Sequence, residues 1–285
     1  MITGQTQLAG VIGSPVSHSK SPLLHNYWLN QRQIDGVYIP LPCAPENLAQ
    51  VVFGLKALNF KGWNVTLPYK QAIVDHLDAL TPAAEQIQAV NTVYRDQQGR
   101  YVGDNTDAFG FLENLCAQAD KASFTKADAM ILGAGGAARA ILFALIPLGF
   151  NRIWVANRSY EKAEQLTKDF LQFSSGQVEL SPLALKQSSQ QLSSCSLFVN
   201  TTTLGMQSQA KLTLDLSALP SDAVISDIVY TPLETDLLAW GRARGNCCVE
   251  GLGMLLHQAR PGFARWFDAE LPAIDQALYD YILAA

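Results

Sequence analysis

The run Ile131-Leu132-Gly133-Ala134-Gly135-Gly136-Ala137-Ala138-Arg139-Ala140 constrains this chain more than any other. Apolar residues from Ala129 to Leu132 lead into it, and Ile141, Leu142, Leu145 and Leu148 follow at helical spacing. It therefore reads as the end of a buried strand, a tight glycine turn and the start of a helix. Each small residue answers a separate demand: Gly133 permits the turn, Gly135 lets the backbone approach a pyrophosphate, and Ala138 lets the helix pack close to the strand. The helix N-terminus offers unpaired N–H groups to an anion. Strand, Gly-x-Gly-x-x-Ala and helix in that order predict a dinucleotide site at Gly133, Ala134, Gly135, Gly136 and Ala137.

The next strand-like segment, Arg152-Ile153-Trp154-Val155-Ala156, runs into Asn157-Arg158-Ser159-Tyr160-Glu161-Lys162. A site selective for NAD usually ends this strand in Asp or Glu, which holds the ribose 2′-hydroxyl. Here Asn157 is followed by Arg158, with Lys162 one turn on, and the macrodipole disfavours cations at a helix start unless an anion meets them. A 2′-phosphate is such an anion, so the expected cofactor is NADP(H). Two solvated charges at a helix start are the alternative.

A chain of 285 residues with 48% hydrophobic content can bury a sizeable core, and two domains are expected. The net charge of −5 and the scattered Lys and Arg leave no phosphate-neutralising face, so no nucleic-acid partner is expected. Met1-Ile2-Thr3-Gly4-Gln5 shows no charged-then-apolar leader pattern, and no apolar run reaches membrane-spanning length. The expectation is a soluble cytoplasmic chain. Five cysteines, Cys43, Cys116, Cys195, Cys247 and Cys248, give neither a disulfide framework nor paired C-x-x-C spacing. His18, His25, His76 and His257 have no ligand spacing either, so no metal is expected.

In chain order, Leu8 to Ile12 reads as a strand ending in Gly13-Ser14-Pro15-Val16-Ser17-His18-Ser19-Lys20-Ser21-Pro22. Three serines spaced by two precede a helix-start proline, a loop able to aim hydroxyls at one carboxylate; a plain helix cap by Ser19 or Ser21 is the alternative. Gly36 to Pro40 is a second strand, Pro45 to Leu58 a helix, and Phe60 to Thr66 a third strand leading to Leu67-Pro68-Tyr69-Lys70. Thr81-Pro82 opens another helix. Val90–Tyr94 and Arg100–Asn105 form a hairpin around Asp96-Gln97-Gln98-Gly99, and Thr106-Asp107 starts the helix that leads to the glycine-rich turn. Pro147 ends or kinks the helix after that turn. Strands at Ile153, Val178, Leu197–Val199, Val224–Val229 and Cys247–Val249 then alternate with helical stretches, the pattern of a doubly wound parallel sheet. From Gly251 the chain is helical to its end and is expected to return to the first domain.

Lys70 and Asp107 each leave a strand-to-helix corner. A lysine can pass a proton to a carbonyl or take one from an alcohol, and a nearby carboxylate would hold its ammonium in place. Asp107 as a simple helix cap is the alternative.

Across nearly its full length the sequence resembles the shikimate dehydrogenase family. The resemblance is carried, in family order, by Ser17-His18-Ser19-Lys20-Ser21-Pro22, Asn64-Val65-Thr66-Leu67-Pro68-Tyr69-Lys70, Val90-Asn91-Thr92, Gly103-Asp104-Asn105-Thr106-Asp107, Gly133 to Ala138, Asn157-Arg158-Ser159, and Gly251-Leu252-Gly253-Met254 through Gln258. It implies an α/β protein of two domains. One is a substrate-binding domain from residues 1–106 plus 251–285, completed by the C-terminal helices; the other is an NADP-binding Rossmann-type domain from 107–250. It also implies an active site in the cleft between them. By the same resemblance Ser19 and Ser21 hold the substrate carboxylate, Thr66, Asn91, Asp107 and Gln258 contact ring hydroxyls, and Tyr230 joins the substrate site. Lys70 and Asp107 become the catalytic pair. Thr201, Ile228, Gly251 and Met254 join Asn157, Arg158, Ser159 and Lys162 in contacting the cofactor.

The implied reaction is the reversible reduction of 3-dehydroshikimate to shikimate by NADPH in aromatic amino-acid biosynthesis, by a monomer or homodimer. Departures from the family pattern are small: Ser159 replaces the commoner Thr, Lys162 stands where Arg is frequent, and Ala259 where Gly is frequent. Lysine lacks the planar fork of arginine, which weakens a phosphate contact. The rival readings are a quinate/shikimate dehydrogenase with relaxed cofactor use and a non-catalytic metabolite sensor on the same fold. A short-chain reductase is disfavoured because no Tyr-x-x-x-Lys occurs in the chain.

Overall fold

The computed structural model describes residues 2–124, 127–174, 176 and 178–284. These residues divide into two units, one running up to Thr106 and resuming at Leu255, the other Asp107–Met254. The second crossing thus falls four residues later than expected, inside a helix instead of before it. The reason is close packing at Gly251: a Cβ there would come within 2.5 Å of the Ile228 carbonyl, which ties the first turn of that helix to the second unit.

In the first unit, β1 (Gln7–Gly13), α1 (Ser21–Gln31), β2 (Gly36–Pro42), α2 (Leu48–Ala57) and β3 (Gly62–Val65) build three parallel neighbours of a mixed sheet. Then come β4 (Ala79–Leu80), α3 (Pro82–Ile87), β5 (Thr92–Arg95) and β6 (Tyr101–Asp104), with sheet order β2-β1-β3-β5-β6-β4. The β5/β6 hairpin is antiparallel, and so is the pairing of β5 with β3. Its turn is set by the Asp96 carboxylate, which accepts from the N–H groups of Gln98 and Arg100, and by Gly99 at φ 81°. Thr81 caps α3, its hydroxyl accepting from Ala84 N at 3.3 Å. The helix expected over 45–58 starts with a 3₁₀ turn, Pro45–Asn47, and is α-helical only from Leu48.

The second unit begins with α4 (Asp107–Gln118) and α5 (Lys121–Phe124), followed by β7 (Asp128–Leu132), α6 (Gly136–Leu145), β8 (Arg152–Asn157), α7 (Tyr160–Leu171) and β9 (Glu179–Ala184). A 3₁₀ stretch, Leu185–Ser194, leads to β10 (Cys195–Asn200), β11 (Val224–Asp227), α8 (Asp236–Ala243) and β12 (Cys248–Val249). The order β12-β11-β10-β7-β8-β9 is parallel throughout. Strand order reverses between β7 and β10, the switch point outside which ligands bind in such sheets. Several strand ends differ from expectation by a residue or two, and at two of them the cause is visible. Val178 precedes β9 because pairing with β8 begins at Glu179, and β11 stops at Asp227 because its carboxylate accepts the Val229 N–H and turns the chain. As expected, α6 passes into a 3₁₀ turn, Ile146–Leu148, at Pro147.

The chain ends in α9 (Gly251–Trp266) and α10 (Gln276–Ala284). The Trp266 indole N–H donates to the Val93 carbonyl at 2.8 Å, and Gly62 leaves room for the ring. Burying such a side chain contributes about 2–3 kcal/mol. Arg265 pairs with Asp104 and lies 4.2 Å over the Tyr94 ring. His25 stacks on Tyr38 at 4.2 Å, within a box closed by Trp28, Phe263 and Trp266. No helix among the described residues is long and apolar enough to cross a membrane.

Candidate active site

In the second unit the site is shaped by backbone. Gly133 sits at φ 117°, where a side chain is strained, and a Cβ would come within 2.4 Å of Thr201 Oγ1. The turn is fixed from both sides: Gly133 N donates to Ala156 O at 2.8 Å, and Thr201 donates to Leu132 O through its N–H and its hydroxyl. The Thr201 hydroxyl is thus committed to the turn. Gly135 is the N-cap of α6, with no side-chain cap, and the space around its Cβ position is open to 4 Å. Open space above uncapped helix N–H groups suits a pyrophosphate, so the turn fits the cofactor that its pattern implies.

At the end of β8, Asn157 Nδ2 donates to Ser159 O at 2.9 Å, which folds the chain so that the next side chains project outward. Arg158 and Lys162 are exposed and have no ion pair among the described residues. Two such cations at a helix start offer the charge that a phosphate pairs with. Ser159 departs from this arrangement, because its hydroxyl donates to the Glu161 carboxylate at 2.7 Å and that bond holds the carboxyl below its usual range. Half-buried Ile228 lies against Gly251, and Met254 is buried one turn on. Tyr230 is half-buried just beyond β11, and buried Asp107 opens α4.

In the first unit the site is made of side chains from distant segments. The C-terminal ends of β1 and β3 are held together by Thr66 N donating to Ile12 O at 2.9 Å and Ser14 N to Leu67 O at 3.0 Å. Lys70 is anchored by its carbonyl, which accepts from Val90 N at 2.7 Å. Neither Ser19 nor Ser21 caps α1: the N-cap is Lys20, without a side-chain bond, and Ser19 Oγ accepts a long 3.3 Å bond from Ser21 N. Asn91 and Gln258, 167 residues apart, meet directly, with Asn91 Nδ2 donating to Gln258 Oε1 at 3.1 Å. Asn91 Oδ1 accepts from Thr106 N at 2.7 Å.

A family model described as shikimate dehydrogenase substrate binding domain matches residues 11–93, and one described as shikimate / quinate 5-dehydrogenase matches residues 115–204. The shikimate dehydrogenase (NADP(+)) of Paramagnetospirillum magneticum is 49% identical over 283 residues, covering 99% of this chain and 100% of that protein. The chain belongs to the shikimate dehydrogenase family. Among solved members, the shikimate 5-dehydrogenase of Thermus thermophilus in complex with NADP(H) and shikimate is 34% identical with TM-score 0.83, over 98% of this chain and 99% of that one. The quinate dehydrogenase of Corynebacterium glutamicum in complex with NAD is 27% identical with TM-score 0.88, over 98% of this chain and 99% of that one.

Behind the family residues stands a support that sequence reasoning missed. Asn64 Nδ2 donates to Asn91 O at 3.0 Å and Thr92 Oγ1 at 3.1 Å, while its Oδ1 accepts from Tyr38 OH at 2.6 Å. Thr92 and Thr106 share a further bond of 2.9 Å. The signal was present in the strand Gly62-Trp63-Asn64-Val65: an amide flanked by apolar residues in a buried strand must find partners or lose about 1–3 kcal/mol. Which partners it finds is not written locally.

Proposed function

We propose that this chain catalyses the reversible reduction of 3-dehydroshikimate to shikimate with NADPH, a step of aromatic amino-acid biosynthesis. The observation that carries the reading is the 49% identity, over essentially the whole length of both chains, to a protein named shikimate dehydrogenase (NADP(+)). Two features of this chain support it: the open glycine turn at the sheet's switch point and the exposed Arg158/Lys162 pair at the end of β8.

Bound NADPH supplies the hydride for the ring ketone. Gly133 to Ala137 take the pyrophosphate, and Asn157, Arg158, Ser159 and Lys162 the adenosine 2′-phosphate. Thr201, Ile228, Gly251 and Met254 line the rest of the cofactor site. Arg158 serves best there, since a guanidinium binds phosphate through two parallel N–H bonds. Ser19 and Ser21, free of capping duty, donate to the substrate carboxylate, and Thr66, Asn91, Tyr230 and Gln258 sort the hydroxyls. Lys70 and Asp107 handle the proton: Lys70 as ammonium protonates the alkoxide oxygen left when hydride has reached carbon. In the oxidative direction the neutral amine takes the proton back. We further propose that the enzyme is cytoplasmic and works as a monomer or homodimer.

The test is a spectrophotometric assay of the purified protein at 340 nm with 3-dehydroshikimate and NADPH, repeated in the oxidative direction with shikimate or quinate and NADP+ or NAD+. Turnover that is fastest with shikimate and NADP+ is expected. Comparable rates with quinate and NAD+ would replace this reading by a broad quinate/shikimate dehydrogenase, and no turnover with any pair would replace it by a binding protein.

A further inference from the structure

The C-terminal ends of β10 and β11 are joined by a buried network that the chemistry above does not use. Asn200 and Asp227, the last residues of the two strands, are register partners and are 0% and 1% exposed. Asn200 Nδ2 donates to Asp227 Oδ1 at 3.0 Å and to Leu204 O at 3.1 Å, and its Oδ1 accepts from Thr202 through the N–H and the hydroxyl. Asp227 Oδ1 also accepts from Val229 N at 3.1 Å, and Oδ2 accepts from the Thr235 hydroxyl at 2.7 Å. Thr235 in turn caps α8 by accepting from Leu238 N. Ile228 N closes the arrangement on the Asn200 carbonyl at 3.1 Å.

Among the described residues Asp227 is therefore a buried carboxylate with three hydrogen bonds and no cation beside it. Burying an anion in this way is costly, and a neutral side chain would be cheaper for folding. What the carboxylate holds are two turns, Thr201 to Leu204 and Ile228 to Tyr230, together with the start of α8. The first of those turns leaves the sheet at its switch point and the second one strand further out, and they carry Thr201, Ile228 and Tyr230.

We propose that Asp227 is a positioning residue that, with Asn200 and Thr235, pre-orders the turns presenting Thr201, Ile228 and Tyr230, so that cofactor and substrate meet them without an ordering cost. The roles of those three residues rest on the function proposed above; the ordering of the turns does not. Ordering done in advance is repaid as tighter binding, which places the effect in KM and Kd more than in kcat.

The experiment compares Asp227→Ala with Asp227→Asn. Alanine removes every acceptor, whereas asparagine keeps an oxygen for Asn200 and Val229 and turns an N–H towards the Thr235 oxygen. For Asp227→Ala, amide hydrogen exchange across 201–204 and 228–230 should accelerate on the order of tenfold or more, and KM for NADPH should rise by about 5- to 50-fold with a smaller change in kcat. Asp227→Asn should stay within about threefold of the unmodified enzyme in both readouts. Unchanged exchange in Asp227→Ala, or equal damage in the two variants, overturns the proposal. Faster exchange with an unchanged KM would leave the turns ordered by Asp227 but overturn their assigned roles. Should Asp227→Ala fail to fold, Thr235→Val removes one leg only, and unchanged exchange across 228–230 in that variant would overturn the proposal equally.

Discussion

The two units build their sites in opposite ways. In the second, one turn of a few adjacent small residues, Gly133 to Ala138, leaves open space over uncapped N–H groups, and side chains enter chiefly at its margin, as Arg158 and Lys162. In the first, Asn91 and Gln258 meet across 167 residues, and Tyr38, Asn64, Thr92 and Thr106 stand behind them. On the function proposed above, the difference follows from what each unit must recognise. A pyrophosphate can be bound by N–H groups that every residue possesses, so the sequence need only clear Cβ atoms out of the way. A hydroxylated ring presents donors and acceptors in a fixed arrangement, which only side chains from several directions can match.

Lys70 is where the largest effect is expected. If the first unit works through individual side chains, Lys70→Ala should reduce kcat by about 10²–10⁴-fold while substrate binding, shared among many groups, changes far less. Steady-state kinetics and a substrate titration check this. Near-normal turnover would remove Lys70 from the chemistry.

Buried ionisable groups set the two units against each other in acid. Burial lowers the His25 pKa to about 3 and raises that of Asp227 to about 6. Both ring nitrogens of His25 lack a hydrogen-bond partner among the described residues. Folded His25 refuses a proton that the unfolded chain accepts below about pH 6.5. Its stability contribution is thus fully present above that pH and is lost as pH falls towards 3, by as much as about 4–5 kcal/mol. Asp227 acts in the opposite sense: between about pH 6 and 4 the folded state binds the proton more tightly, so acid relieves a cost on the order of 2–3 kcal/mol. Urea midpoints measured from pH 7 to 4 should fall less steeply in His25→Phe than in the unmodified protein, and Asp227→Asn should gain stability at pH 7. Parallel pH profiles for His25→Phe and the unmodified protein would exclude His25 as a source of acid sensitivity.

Smaller effects are expected where the second unit does use side chains. Arg158→Ala should remove charge-assisted bonds of about 1.5–3 kcal/mol, lowering kcat/KM for NADPH on the order of 10- to 150-fold and that for NADH much less. The residual NADPH preference, left to Lys162 and Ser159, should shrink as salt rises. Equal proportional losses with both cofactors would make Arg158 structural. Gly133→Ala sharpens the contrast from the other side, since it deletes nothing and adds one methyl group. With φ at 117° and Thr201 Oγ1 in the way, it should cost about 1–3 kcal/mol of stability and weaken both nucleotides alike. A selective loss of NADPH there would mean that the turn also reads the 2′-phosphate.

Features that depend on neighbouring residues were legible in the sequence. The glycine turn, the Thr81 cap, the Asp96–Gly99 hairpin and the break at Pro147 all follow from the conformations that a few adjacent residues permit. The short β4 and the end of β11 were not legible, because each depends on a partner elsewhere: β4 on pairing with β6, and the Asp227 turn that ends β11 on Asn200 and Thr235, which hold its carboxylate. The placement of the boundary after Met254 has the same origin, since Gly251 has to fit against Ile228 before α9 can run on. Sequence alone was enough for a glycine turn between strand and helix, two α/β units and a family pattern of polar residues in a given order. Only the packed fold settles which of those residues touch, that Asn64 supports Asn91, and that Asp227 is buried with no cation beside it among the described residues. Backbone conformation is a property of neighbours in the chain, whereas hydrogen-bond partners and burial are properties of neighbours in space.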